Sequence, residues 1–364
     1  AYTEVLSISQ ETGDIVTALA ATTGLGNLQE AENQLFLAAK SYQRGMELFG
    51  DPPQPIAVGT YLGLARILYE WNDMDAAWQY GQQSIQLASQ LESIDTFTLC
   101  GVFLARLKLA QGDVDGAAAY ITKADQFMHQ HNFMHRMPEI AAAQVLILLH
   151  RGDLEGAANL AEQHEIPISQ ARVHLAQGET SEALAVLEPL RQQAEAKGWE
   201  DERLKVMVLQ AVALYEHGEK QQAVGTLSGA LALAEPGGII RRFVDEGPSM
   251  TSMLHEFQSR AELLNLEITP DYVQRLLNAF PTKESERTDP LKPKTPETGL
   301  VEPLSKRELE VLRLLKTELS GPEIAQELVL ALSTFQSHTK NIYSKLNVNS
   351  RRAAVIRAED RNLI

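Results

Sequence analysis

One turn motif recurs through the first two thirds of the chain. The segments WNDMDAAWQY (71–80), QGDVDGAAAY (111–120), RGDLEGAANL (151–160), QGETSEALAV (177–186) and HGEKQQAVGT (217–226) share a plan: a turn residue, an acid, then a small residue four positions after that acid. Those small residues, Ala77, Ala117, Ala157, Ala183 and Ala223, are spaced 40, 40, 26 and 40 apart, and a weaker copy places Ala38 39 residues before Ala77. A period of this length marks a supersecondary unit repeated along the chain. Between the turns, apolar residues recur at steps of three and four, as in Leu62, Ala65, Leu68 and Tyr69, which predicts helix. Gly or Asn in each turn can take the left-handed conformation that ends a helix, and the Ala after it lets the next helix approach closely. Each unit is therefore predicted to be a helical hairpin, and hairpins stacked in register form an α-solenoid with a concave surface. A plain helical bundle is the competing reading, which a near-constant period disfavours. The 26-residue step holds EIPISQ with Pro167, and predicts an abbreviated helix and a local irregularity of the superhelix.

After LALAEPGGII the pattern changes, and residues 239–280 read as a closing helical cap with a helix starting near Pro270. Residues 281–303 follow, with five prolines, nine charged residues and almost no large apolar side chains, the composition of a linker. A flexible chain of that length spans roughly 25 to 30 Å. The expected organisation is all-α: a repeat and cap domain over 1–280, a linker over 281–303 and a second helical domain over 304–364.

Bulk properties exclude several classes. At 364 residues, 44% hydrophobic and 22% charged, the chain reads as globular and long enough for more than one domain. Its one cysteine, Cys100, allows no intramolecular disulfide, which favours a reducing compartment, and no apolar run is long enough for a transmembrane helix. The N-terminal AYTEVLSISQ lacks the plan of a signal peptide, so a cytoplasmic location without membrane contact is expected. The chain starts without Met and runs straight into helical pattern, as a piece of a longer polypeptide would.

The formal charge of −16 points away from nucleic acid only if taken as one number. Residues 304–364 carry ten Lys and Arg against seven acids, a local +3 that leaves −19 for the rest. Between Glu327 and Glu359 there is no acid, while Lys340, Lys345, Arg351, Arg352 and Arg357 all fall there.

Helix starts in this segment are legible. SKRE (305–308) and SGPE (320–323) are Ser-x-x-Glu capping boxes, STFQ (333–336) is the Ser-x-x-Gln form, and a fourth helix can start at Ser350. Four short helices are predicted, over about 305–317, 321–328, 333–346 and 350–361, the middle two close enough for a helix-turn-helix. On the third, Phe335, His338, Thr339, Ile342 and Leu346 form a buried stripe with Leu309, Leu312, Ile324, Ala325 and Leu328 from the helices before it. Gln336, Ser337, Lys340, Asn341 and Ser344 occupy the opposite face without one carboxylate, the donors and acceptors that base edges require. Ser333 and Thr334 stand at the helix N-terminus, where free N–H groups can meet a phosphate. Composition alone leaves a merely solvated face equally open.

The run PLSKRELEVLRLLKTELSGPEIAQELVLALSTFQSHTKNIYSKLNVNSRRAAV resembles the LuxR-type helix-turn-helix, with matching residues in every helix. The repeats resemble the tetratricopeptide class, though nearer 40 residues than its usual length, and together with EPGGIIRRFVDEGPSM they are similar to the C-terminal part of large ATP-dependent LuxR regulators, the MalT-like class. That resemblance implies a bacterial transcription regulator, expected to be an activator, whose solenoid takes a small-molecule or protein inducer in its groove. It implies double-stranded promoter DNA and RNA polymerase as partners, and a dimer or oligomer on DNA. Base contacts would fall on Gln336, Ser337 and Lys340, with Thr334 and Asn341 beside them; phosphate contacts would fall on Ser333, Lys345, Arg351 and Arg352. Three departures bear on operator choice: Gln336 and Phe335 stand where the family usually has Lys and Val, and LSGPEIA replaces the commoner Asn-Lys or Asn-Arg before Glu323. A helical-repeat scaffold whose terminal helices bind protein is the alternative.

Other chemistry finds little support. His129, His131 and His135 lie close in sequence, but no Cys or carboxylate completes a metal set, and a helix-end packing cluster is the favoured reading. His338 reads as a core histidine. No Gly precedes a Lys, so no P-loop is present, and no motif specifies acid–base catalysis. Neither enzymatic activity nor a cofactor is expected within this chain; any ATP site would belong to a part outside it.

Overall fold

A computed structural model describes residues 2–12, 14–48, 50, 52–91, 93–264, 268–280, 306–317, 324, 328, 339, 342, 343, 345, 348 and 351–360. The linker expected over 281–303 lies outside the described residues. Two compact units are present, Ala1–Ser285 and Glu286–Ile364, and each is described by itself.

The first unit runs α1 (Tyr2–Thr12), α2 (Ile15–Ala31), α3 (Leu35–Glu47), α4 (Val58–Glu70), α5 (Met74–Leu91), α6 (Ile94–Ala110), α7 (Val114–Gln130), α8 (Met137–His150), α9 (Leu154–Gln163), α10 (Pro167–Gln177), α11 (Thr180–Lys197), α12 (Glu200–Glu216), α13 (Lys220–Ala234), α14 (Arg241–Val244), α15 (Gly247–Leu264) and α16 (Pro270–Ala279). Each predicted hairpin turn carries one residue in the left-handed region: Asn33 (φ 58°), Asn72 (63°), Gly112 (77°), Gly152 (76°), Gly178 (78°) and Gly218 (93°). The acids after them cap the next helix where their side chains reach, as Asp113 accepts from the Gly116 N–H at 2.8 Å and Asp153 from Gly156 at 2.9 Å. All six repeat alanines, from Ala38 to Ala223, are fully buried.

The 26-residue step differs in detail from the expectation of one abbreviated helix. Both α9, with 10 residues, and α10, with 11, are short. Pro167 stands in the first turn of α10 and so opens a new helix instead of ending an old one. The cap helix starts at Pro270, as expected.

First helices of successive hairpins pack on one another from α2 through α4, α6, α8 and α10 to α12, and α12 in turn meets α2. The solenoid therefore closes on itself. One continuous core joins Leu35 and Tyr42 of α3 and Ile67 of α4 to Leu204 of α12, Leu227 of α13, Phe243 of α14 and Tyr272 of α16.

In the second unit, α17 (Lys306–Leu315) and α18 (Arg351–Asp360) bracket a small core. Val311, Leu312 and Leu315 of α17 meet Ile324, Ile342, Ala354 and Ala358 there.

Candidate functional site

The described part of the second unit begins with what α17 and α18 supply. Thr339, Ile342, Tyr343 and Lys345 are helical, with Ile342 fully buried and Thr339 half-buried, as the predicted stripe requires. Leu312 and Ile324 from the same stripe are also buried. The base-reading candidates Thr334, Gln336, Ser337, Lys340 and Asn341, and the phosphate candidate Ser333, lie outside the described residues, as do Phe335, His338 and Leu346. Lys345 is described and half-buried, and Arg352 is described only as part of α18.

Arg351 has an internal task that the sequence does not announce. Its Nε donates to the Leu315 carbonyl at 2.8 Å, and its Nη2 donates to the Thr317 carbonyl at 2.5 Å and, more weakly, to Leu314 at 3.5 Å. These are carbonyls at the C-terminal end of α17, where a helix leaves acceptors unsatisfied and favours a cation. Arg351 thereby pins the start of α18 to the end of α17.

A second concentration of charge lies inside the ring of the first unit. The segment after the last hairpin brings Arg241, Arg242, Asp245 and Glu246 against first helices of four hairpins. Arg242 Nη2 lies 2.9 Å from Asp201 on α12 and 3.4 Å from Glu70 on α4. Arg106 on α6 reaches Glu70 at 3.1 Å and Asp245 at 3.2 Å, with its guanidinium 4.5 Å from the centre of the Tyr69 ring. Arg172 on α10 holds Glu246 through two bonds of 2.6 and 2.9 Å. Arg241 pairs with Asp245, and the Ile240 N–H donates to the Glu70 carbonyl at 2.7 Å. Trp71 Nε1 donates to the Gly237 carbonyl at 2.8 Å.

Neighbouring cations decide the protonation of Asp201. Burial pushes the Asp201 carboxyl up, but Arg242 and Lys205 outweigh it and hold the group at about 2. Burial pushes the Tyr69 hydroxyl well above its ordinary range. Among the described residues, Glu70 Oε2, Arg241 Nε, and Arg242 Nε and Nη1 have no hydrogen-bond partner. A buried network of this kind adds little net stability, because desolvation offsets attraction, but breaking one member is costly.

Sequence reasoning singled out EPGGIIRRFVDEGPSM without finding its partners. A signal was present: Arg66 and Arg106 stand one repeat apart inside apolar helices, where charge needs a partner. Arg66 has one in Glu30, at 2.8 Å. The histidine cluster behaves as helix-end packing: Nδ1 of His129 lies 2.9 Å from the Asp125 carbonyl, Nδ1 of His131 lies 2.8 Å from that of Phe127, and the His131 ring packs on Phe127 at 4.5 Å.

A family described as MalT-like TPR region matches residues 1–260, and one described as bacterial regulatory proteins, luxR family, matches residues 302–358. Similar curated proteins include the HTH-type transcriptional regulator MalT of Yersinia enterocolitica serotype O:8 and that of Yersinia pestis, each 28% identical over 318 residues. These alignments cover 81% of this chain but 35% of each relative, so the chain spans about a third of their length. Among solved structures, a Rap protein complexed with competence and sporulation factor matches with a TM-score of 0.48 at 16% identity, covering 73% of this chain and 74% of that one.

Proposed function

This chain belongs to the MalT-like TPR family and carries a luxR-family region near its C-terminal end, and from that premise we propose that it is the sensing and DNA-binding portion of a transcription activator. Residues 304–364 bind double-stranded promoter DNA. Gln336, Ser337 and Lys340, with Thr334 and Asn341, read bases; Ser333, Lys345 and Arg352 meet phosphate. Arg351 acts chiefly by fixing α18. The observation that carries the reading is the luxR-family match over 302–358, which includes the core around Val311, Ile342 and Ala354. A carboxylate-free stretch rich in Lys and Arg supports it, since phosphate contact needs local positive charge.

The first unit receives an inducer, either a small molecule or a protein, and acts as a sensor without catalysis of its own. The protein works in the cytoplasm, as a dimer or oligomer on DNA that engages RNA polymerase, and any ATP chemistry belongs to another part of a longer chain. Among the described residues, no helix is long and apolar enough to cross a membrane.

Selection of bound sites from a random DNA library by the whole chain tests the reading. A recovered consensus, with affinity that falls steeply as salt rises, is expected. Lys340→Ala combined with Arg352→Ala should weaken binding, with the salt slope reduced by about one for the phosphate contact of Arg352. Salt-independent absence of binding to any DNA by a folded chain would leave the scaffold reading in its place.

A further inference from the structure

The ring has a seam where its first hairpin meets its last, and a cleft of about 370 Å³ lies there. This is within the roughly 300–1,000 Å³ usual for small-molecule sites. Phe36 and Leu37, from the α2–α3 corner, form one wall; Ala232, Leu233 and Pro236, from α13 and the turn after it, form the other. Phe36 and Leu37 are large apolar side chains left 52% and 48% exposed, and the Phe36 ring stacks on Trp71 with centroids 5.0 Å apart.

The polar groups of the cleft point to one kind of ligand. Glu32 and Glu200 line it, and neither Lys nor Arg does. Glu200 shares its carboxylate with Arg203 at 3.4 Å, while Glu32 has no ionic partner among the described residues. Asn33 lines the same cleft at 6% exposure, and neither its Oδ1 nor its Nδ2 has a hydrogen-bond partner. Apolar walls with two carboxylates and no basic side chain suit an apolar body carrying an N–H cation.

We propose that the seam cleft binds a small apolar amine, seated between the first and last hairpins. Its two walls come from opposite ends of the repeat array, so the site is complete only in the closed ring. A ligand there favours closure by its differential affinity for that state. The assignment rests on the sensor reading above only for this regulatory consequence; the binding itself stands apart.

Tryptamine is the probe, titrated into the whole chain by calorimetry, with indole as its uncharged counterpart. Saturable binding of tryptamine is expected, with indole roughly tenfold weaker for want of the ammonium. Leu37→Lys sets a cation in the cleft and Ala232→Trp fills it, both at exposed positions that leave the core intact. Each should abolish tryptamine binding. Binding that survives both substitutions, or no binding up to the solubility limit, overturns the proposal. DNA affinity measured with and without tryptamine separates the two readings. Bound tryptamine with unchanged DNA affinity upholds the cleft and removes its sensing role; a chain that binds DNA but not tryptamine removes the cleft alone.

Discussion

The hydroxyl of Tyr69 donates to Asp245 Oδ2 at 2.7 Å across 176 positions of sequence. In an open solenoid each repeat touches only its neighbours, and stability is nearly a sum over adjacent pairs. Here the second hairpin and the segment after the last one share one partly exposed acid. Damage at one end of the array should therefore be felt at the other.

Asp245→Ala removes an acceptor shared by Tyr69, Arg106 and Arg241, and leaves two guanidinium groups short of a partner. A cost of about 2 kcal/mol is expected, below the figure for a fully buried pair because Asp245 retains some exposure. Native-state hydrogen exchange should quicken in α4 and α6 as well as around α14. Acceleration confined to residues near 245 would show that the ring is not coupled.

Acid should loosen the same joint. Asp201 is held at about 2, against 3.8 for the free side chain. A depressed carboxyl adds stability that is fully present above the unfolded value and lost as pH falls through the folded one. The urea midpoint should thus decline between about pH 4 and pH 2, and Asp201→Asn should flatten that part of the profile while lowering stability at neutral pH. An unchanged slope in that window would remove Asp201 as a contributor.

Tyr42 is clasped by two glycines: a Cβ on Gly63 would come within 2.3 Å of its ring, and one on Gly26 within 2.5 Å. Gly63→Ala improves local helix propensity yet should destabilise by ~1–3 kcal/mol through overpacking. Double substitution with Tyr42→Leu should recover part of the loss, as read by the thermal midpoint.

For Arg351, a structural role and a phosphate contact make different forecasts. Arg351→Ala should cost about 2 kcal/mol through the lost charge-assisted bonds to α17, seen as faster exchange at the end of that helix. DNA affinity should fall with the salt slope unchanged. A slope reduced by about one would instead assign Arg351 a phosphate.

Burial pushes the Cys100 thiol up to about 11, with Ser84 Oγ 3.3 Å from its sulfur. The thiolate is the reactive form, so native protein at neutral pH should resist alkylation by iodoacetamide and react only after denaturant is added. Rapid native labelling would contradict this packing of α5 against α6.

Features with a short range were legible before any coordinates. A left-handed residue, a capping acid and a buried alanine all fall within one turn of chain, so the motif around Ala77 or Ala117 predicted its own hairpin. Capping boxes did the same for α17, whose start falls within one residue of the predicted one. The 26-residue step was only half read, because Pro167 signals a start or a stop equally well until its neighbours are placed.

Local chemistry thus determined an all-α chain, its hairpins, their buried alanines and the buried stripe through Leu312, Ile324 and Ile342. Tertiary structure decided that the array closes, that Arg242 bridges Asp201 and Glu70, that Arg351 caps α17, and that a cleft lies at the seam. Closure depends on the small rotation accumulated from each hairpin to the next. No single turn encodes that sum; it emerges only when α12 arrives beside α2 and the charges along the ring find partners.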